Sequence, residues 1–342
     1  MIATALTEAL ERLGAGHDLT AEQSSAAVAT IMAGGAPDAA IAAFLTALRD
    51  KGETAPELAG AVQAVREHMA GWERGAFPAL LDTCGTGGDG ACTVNVSTAA
   101  AIVVAACGVP VAKHGNRSAS GNSGSAEVLA ELGVAFDAEP AVASRCLGEL
   151  GITFLFAPRY HPALRFAAPM RKQLPFRTLF NLVGPLANPA QPEYQLVGVA
   201  SDRQAALMAE ALARLGILRA AVVTGSDGLD EVTLGGPTRV RWVEAGQITT
   251  DEWTPTHFGL PMIGALELRV SGPAESAARL RAIFAGERGP CRDVVLANAA
   301  AALRVAGRVE HLAEGVTRAS DALDSGAAAD LLERWGRLSQ VV

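Results

Sequence analysis

Between residues 82 and 125 the chain carries two loops whose residue types suit phosphate chemistry. The first, Asp82-Thr-Cys-Gly-Thr-Gly-Gly-Asp-Gly90, runs into Thr93-Val-Asn-Val-Ser-Thr98. Glycines at this density let main-chain amides close around an anion, and a helix opening just beyond adds its positive end. The pattern is neither the Walker A sequence nor the dinucleotide fingerprint. A plain turn capped by Ser97 or Thr98 needs a single hydroxyl, whereas three hydroxyls and Asn95 gather beside this loop. The second loop, Lys113-His-Gly-Asn-Arg117 followed by Ser118-Ala-Ser-Gly-Asn-Ser-Gly-Ser125, offers two cations and several small donors, which suits a second phosphate or a diphosphate.

Asp230-Glu231 follows an apolar run within Gly228-Leu-Asp-Glu-Val232. Adjacent carboxylates suit magnesium, a hard cation that keeps several of its waters, although two neighbouring acids equally make a solvated turn. Arg171, after Ala168-Pro-Met170, presents a planar fork suited to a carboxylate, and Arg165 is an alternative. His114 stands beside the second loop, where a packed polar role is equally open. No Ser-His-Asp set or H-E-x-x-H motif is apparent, and no general base is assigned.

Positioning these residues requires two kinds of framework. Up to Gly71 the apolar spacing is helical and accommodates four helices. Thr20-Ala-Glu-Gln23 and Thr54-Ala-Pro-Glu57 read as capping boxes, and Gly34-Gly35 and Gly52 as helix ends. The narrow, alanine-rich face of 36–48 suits close packing, either in the bundle core or against a second subunit. Beyond Gly71, short apolar runs alternate with helical patterns, which predicts an α/β sheet domain. Strands are expected at 79–82, 109–112, 152–156, 196–200 and 220–224. The proline-rich and basic stretch 160–192 breaks this rhythm and is expected to leave the sheet and rejoin the helical part. The expected domains are therefore 1–71, joined by part of 160–192, and 72–342.

The 342 residues are 50% hydrophobic and 19% charged, enough apolar material for a buried core and unlike a disordered chain. With 28 basic against 36 acidic residues the net charge is −8, which opposes wrapping on a nucleic-acid backbone. The longest nearly apolar run, 99–111, contains Gly108 and Pro110 and falls short of the roughly 18 residues of a membrane span. No secretory signal opens the chain, and five cysteines without C-x-x-C spacing fit a reduced cytoplasm.

Several motifs together resemble the anthranilate phosphoribosyltransferase family of tryptophan biosynthesis. They are Gly85-Thr-Gly-Gly-Asp89, Asn95-Val-Ser-Thr98, Lys113-His-Gly-Asn-Arg117 and Ser123-Gly-Ser125, then Phe154-Leu-Phe-Ala-Pro158, Tyr160-His-Pro162, Ala168-Pro-Met-Arg171 and the run from Arg177 to Pro189. Asp230-Glu-Val-Thr233, the 43–49 segment and Lys51-Gly-Glu-Thr54 complete a match in the family's order over essentially the whole chain. The resemblance implies a small helical domain joined to a larger α/β domain with a central, mostly parallel sheet, of the nucleoside-phosphorylase/phosphoribosyltransferase kind. It implies transfer of phosphoribosyl from phosphoribosyl pyrophosphate to anthranilate, two magnesium ions per site and a homodimer formed through the helical domain.

Carried over by position, the donor residues are Gly85, Gly88, Asp89, Thr93, Asn95, Val96, Ser97, Thr98, Lys113, His114, Gly115, Asn116, Arg117, Ser118, Ala119, Ser120, Gly121 and Ser125. Gly85, Asn116 and Arg171 fall to anthranilate, and Ser97, Asp230 and Glu231 to the metal. Many relatives carry serine where Gly121 stands and aspartate where Glu127 stands; the first change removes a side-chain donor, and the second is expected to alter helix capping. A pyrimidine nucleoside phosphorylase is one rival, but its Lys-His-Ser-Thr-Gly-Gly signature is absent. A non-catalytic, nucleic-acid-binding relative is another, expected to lack the diphosphate loop and to carry a basic face.

Overall fold

A computed structural model describes residues 4–87, 90–118 and 123–341. Four helices open the chain: α1 (Thr4–Gly14), α2 (Ala21–Met32), α3 (Asp38–Lys51) and α4 (Ala55–Glu67). Thr20 and Gln23 form a reciprocal box at the start of α2, with Thr20 N–H on Gln23 Oε1 at 3.0 Å and Gln23 N–H on Thr20 Oγ1 at 3.2 Å. Only half of the expected box exists at α4. Glu57 Oε2 accepts Thr54 N–H at 2.9 Å, but Thr54 Oγ1 is buried without a partner. Glu57 instead holds the bundle together, because its other oxygen accepts Leu19 N–H at 2.9 Å. At Gly60 a Cβ would lie 2.0 Å from Ala21 O, so α2 and α4 meet backbone to backbone and only glycine fits.

The next elements are β1 (Leu81–Gly85), α5 (Val96–Ala106), β2 (Val111–Gly115), α6 (Ser125–Glu131), α7 (Pro140–Leu150) and β3 (Ile152–Phe156). The chain then leaves the sheet through α8 (Ala157–Tyr160), a 3-10 turn (Pro162–Phe166), α9 (Ala168–Gln173) and α10 (Leu179–Leu186). The turn packs on α2, α9 on α3, and α10 on α3 and α4. Arg66 on α4 reinforces this docking by donating to Leu186 O at 2.7 Å.

The sheet resumes with β4 (Tyr194–Gly198), α11 (Asp202–Arg214), β5 (Arg219–Gly225), β6 (Thr238–Glu244) and β7 (Gln247–Trp253). The chain closes with α12 (Pro255–Phe258), a 3-10 turn (Ala265–Leu268), α13 (Pro273–Phe284), α14 (Pro290–Val305), α15 (Leu312–Asp324) and α16 (Ala327–Ser339). Among the described residues the strand order is β3-β2-β1-β4-β5-β6-β7, with β1 to β5 parallel and the last two antiparallel. One apolar core lies between the sheet and α5, α13, α14, α15 and α16. On the opposite side a second core joins the sheet to the helical bundle, α10 and α11.

The five expected strands are present, four of them with shifted ends. Strands β6 and β7 were not expected. Arg239 and Arg241 interrupt the apolar signal of β6, and β7 is an edge strand exposed at every residue up to Glu252, so burial imposes no apolar alternation on it. The two are joined by Ala245-Gly246, whose φ angles of +47° and +78° give the tight turn a hairpin needs. No helix among the described residues is long and apolar enough to cross a membrane.

From β1 the chain winds to β2 and β3 on one side and then returns to β4 on the other. In an open parallel sheet such a reversal leaves a crevice beyond the carboxyl ends of the two strands.

Candidate active site

The strands that border this crevice end in glycine for want of space. Gly85 closes β1 opposite Gly198 of β4. A Cβ on Gly198 would lie 1.6 Å from Asp230 O, and one on Gly85 would lie 2.5 Å from Asp230 Oδ2. Gly115, at the end of β2, is likewise closed in by Ser125 Oγ at 2.4 Å. The segment that fills the crevice is the 226–237 loop between β5 and β6. Asn298 of α14 anchors it, accepting Val232 N–H at 3.0 Å and donating to Val232 O at 2.9 Å. Asp230 Oδ2 then accepts Gly87 N–H at 2.7 Å, and Glu231 Oε1 accepts Ser97 N–H at 3.3 Å.

Lys113 approaches from β2. It is buried, at 2% exposure, and its Nζ donates to Thr83 O and to Ser97 Oγ, the latter at 3.3 Å. Beneath it Asp82 is fully buried, with Oδ1 accepting His114 N–H at 3.3 Å and Oδ2 accepting Asn188 Nδ2 at 2.9 Å. Burial pushes the Asp82 carboxyl above the usual range, and the Lys113 charge opposes that push.

The Asn95 side chain is held on two sides, since Oδ1 accepts Ser123 Oγ at 2.7 Å and Ser276 Oγ at 2.8 Å. Neither Ser97 nor Thr98 caps α5; Asn95 occupies the cap position, and Thr98 Oγ1 is buried without a partner. Val96 also turns into the core. Thr93 is partly exposed and pairs with Arg269.

The second loop differs from the expectation of two converging cations. Whereas Lys113 lies under Ser97, the Arg117 guanidinium lies 5.1 Å from the Phe136 ring. Asn116 is exposed, its Oδ1 accepts Arg117 N–H at 2.7 Å, and its carbonyl accepts Ser125 Oγ at 3.3 Å. Glu127 lies in the first turn of α6, yet its carboxylate accepts Ser118 N–H at 3.3 Å. The longer side chain thus holds the loop and does not cap the helix. Gly88, Asp89, Ala119, Ser120 and Gly121 lie outside the described residues.

Arg171 on α9 is half-buried, and Arg165 in the preceding 3-10 turn is exposed. The Arg171 guanidinium lies 5.7 Å from the Phe180 ring, with no hydrogen bond or ion pair among the described residues, and burial lowers its proton affinity. His114 Nδ1 meets Gly184 O at 3.1 Å, while its Nε2 is buried without a partner. Its ring stands edge to face with His161, centroids 5.1 Å apart, and among the described residues neither ring nitrogen of His161 completes a hydrogen bond of normal geometry. Burial holds His114 well below the ordinary histidine value and His161 at about 4, so both are neutral at pH 7.

Asn298 and Ser276 carry no local motif that announces them, and His161, Asp82 and Asn188 lie within segments noted above without a role of their own. The signal that could have found them is the presence of polar types within strongly apolar runs, as with Asn298 among alanines. Arg177 lies between α9 and α10 and reaches back to the first loop, donating to Gly87 O and, at 2.8 Å, to Thr86 O.

Asp230, Glu231 and Ser97 supply only hard oxygen donors, and no cluster of three or more His, Cys, Asp or Glu side chains suited to a metal occurs among the described residues. Two carboxylates and a hydroxyl fit magnesium, which takes its remaining ligands from water and substrate phosphates. They do not fit a thiophilic metal.

The helical bundle domain of a glycosyl transferase family matches residues 7–69, and the α/β domain of that family matches 78–329. The anthranilate phosphoribosyltransferase of Thermomicrobium roseum is 49% identical over 336 residues, 97% of each chain. The solved anthranilate phosphoribosyltransferase of Thermus thermophilus superposes with a TM-score of 0.92 at 42% identity, covering 97% of this chain and 99% of that one. The Saccharomyces cerevisiae anthranilate phosphoribosyltransferase in complex with PRPP and Mg gives a TM-score of 0.91 at 28% identity, covering 99% of both chains. Identity at this level along nearly the whole chain, on the same two-part architecture, means that this chain belongs to the anthranilate phosphoribosyltransferase family.

Proposed function

We infer that the chain transfers the 5-phosphoribosyl group of phosphoribosyl pyrophosphate to the amine of anthranilate. The products are N-(5-phosphoribosyl)anthranilate and pyrophosphate, in the second step from chorismate in tryptophan biosynthesis. The observation that carries this reading is the meeting of Lys113, Ser97, Asp230 and Glu231 at the switch point of the sheet.

A diphosphate leaves readily when its developing charge is neutralised. Asp230, Glu231 and the Ser97 hydroxyl would hold magnesium, two ions per site, and the chemistry it supplies there is charge neutralisation on the diphosphate. Lys113 adds a fixed positive charge below Ser97. Gly85, Gly88, Asp89, Thr93, the 95–98 turn, the 113–121 loop and Ser125 form the donor site, with Val96 acting through its main chain. Arg171 takes the carboxylate of anthranilate, and Gly85 and Asn116 border the aromatic acceptor. An aromatic amine is neutral at pH 7 and needs no base before it attacks, so placement and charge carry most of the catalysis.

The same reading divides the chain at 1–71, with part of 160–192, against 72–342, and makes it a cytoplasmic homodimer joined through the helical domain. Ala39 and Ala43 on the outer side of α3 are exposed small residues that permit close approach of a second copy.

The test is one assay. Purified protein, anthranilate, phosphoribosyl pyrophosphate and magnesium together should abolish anthranilate fluorescence, and omission of the protein, the donor or the magnesium should preserve it. Unchanged fluorescence, with phosphorolysis of a pyrimidine nucleoside instead, would overturn the reading in favour of the phosphorylase.

A further inference from the structure

We propose that Arg177 is a positioning residue for the phosphoribosyl donor, selecting the peptide orientation in which the first glycine loop holds the Asp230 carboxylate. The proposal rests on the donor-site reading above. Two consecutive residues of that loop have all their main-chain polar groups engaged. Thr86 N–H donates to Gly198 O at 2.9 Å, and Gly87 N–H to Asp230 Oδ2 at 2.7 Å. Both carbonyls, Thr86 O and Gly87 O, are taken by the two terminal nitrogens of Arg177.

A trans peptide points its C=O and the following N–H in opposite directions. The hold of Arg177 on Thr86 O is therefore what aims Gly87 N–H at the Asp230 carboxylate. Gly87 has a φ of +63°, where a residue without Cβ rotates at little cost, so local sterics do not choose between this peptide orientation and its flipped form. In the flipped form a carbonyl oxygen would face the Asp230 carboxylate, which would lose its amide. A planar fork presents two terminal nitrogens in fixed geometry to the two successive carbonyls, which suits arginine better than lysine.

Arg177 is itself anchored. It precedes Thr178, whose N–H is held by Asn181 Oδ1 at 2.9 Å at the start of α10. It also lies six residues from Arg171, so one side chain ties the acceptor segment to the donor loop. A cavity of about 210 Å³ bordered by Arg49, Thr178, Asn181 and Arg203 lies beside it. Shortening Arg177 therefore enlarges an existing cavity.

The test compares Arg177→Met, Arg177→Lys and wild type by steady-state kinetics, thermal unfolding and ligand-free hydrogen exchange of Thr86 and Gly87. Loss of two charge-assisted bonds should raise the donor KM about 10- to 100-fold in Arg177→Met while the anthranilate KM moves less than about threefold. Arg177→Lys should recover only part of the loss, and the melting temperatures should stay close to wild type. A donor KM equal to wild type, or equal rises in both KM values, would overturn the proposal. If Arg177→Met does not fold, Arg177→Lys decides, with an unchanged donor KM counting against it. Hydrogen exchange separates this proposal from the functional reading: faster exchange at Gly87 in the variants is expected whatever the enzyme's substrate, and unchanged exchange refutes the hold of Arg177 even if turnover of anthranilate is normal.

Discussion

The donor crevice and the segment carrying Arg171 are opposites in how their polar groups are satisfied. In the crevice the charged groups and Asn95 already have protein partners: Asp230 has Gly87 N–H, Glu231 has Ser97 N–H, Lys113 has Thr83 O and Ser97 Oγ, and Asn95 has two serines. Along 157–186 the Arg171 guanidinium and both nitrogens of His161 are desolvated and lack hydrogen bonds among the described residues, as does Nε2 of His114, which reaches this segment from β2. Buried polar groups without partners are costly, so a fold retains them where a ligand completes them. A diphosphate with its metal needs a rigid, pre-aimed set of charges. An aromatic carboxylate needs one waiting cation beside groups that stay neutral.

Removing charge from the crevice should have the largest effect. Asp230→Asn combined with Glu231→Gln leaves carbonyl oxygens to accept the Gly87 and Ser97 amides, so the melting temperature should hold while magnesium-dependent turnover falls on the order of 10³-fold or more. Turnover that survives a magnesium titration would remove the metal from these residues.

Arg171→Ala should act on one substrate only. Loss of a desolvated charge pair costs about 2 to 5 kcal/mol, which should appear in the KM for anthranilate and far less in that for the donor. Equal effects on both would erase the distinction between the regions.

The smallest effect is on stability. His161 is held at about 4, with burial the main cause and the Arg66 charge acting in the same direction, against an ordinary 6.5. The unfolded chain therefore binds a proton between those values and the folded chain does not. The stability this histidine contributes is complete above about pH 6.5 and is lost as pH falls toward 4, by about 2 to 4 kcal/mol. Thermal unfolding from pH 7.5 to 4 should show a shallower decline for His161→Gln than for wild type. Parallel curves would mean that His161 is not held neutral by its surroundings.

The two regions also differed in how far they could be read in advance. The glycine loops, the Lys113 strand and Asp230-Glu231 are local motifs, and a phosphate cradle needs just such short runs of small and charged residues. Strand β3 and the four N-terminal helices were equally legible, because apolar period and capping residues are local signals. In the 160–192 segment the break in rhythm, the return to the helical part and Arg171 were legible but the short helices were not, since they gain their stability from α2, α3 and α4. Strands β6 and β7 escaped because pairing with β5 and with each other, not burial of an apolar face, holds them.

By itself the sequence determined which chemistry was available: amide-rich turns, two carboxylates in tandem, a lysine at a strand end and a forked cation near a proline. Tertiary structure alone decided which of these act together. Lys113 and Arg117 are four residues apart yet diverge, whereas Thr86 and Arg177 are 91 residues apart and share a hydrogen bond. The reason lies in the sheet. A parallel strand order that reverses between β1 and β4 brings the ends of distant segments to one crevice, and the absence of a Cβ at Gly85 and Gly198 lets Asp230 enter it. Neither the strand order nor that approach is encoded in any run of neighbouring residues.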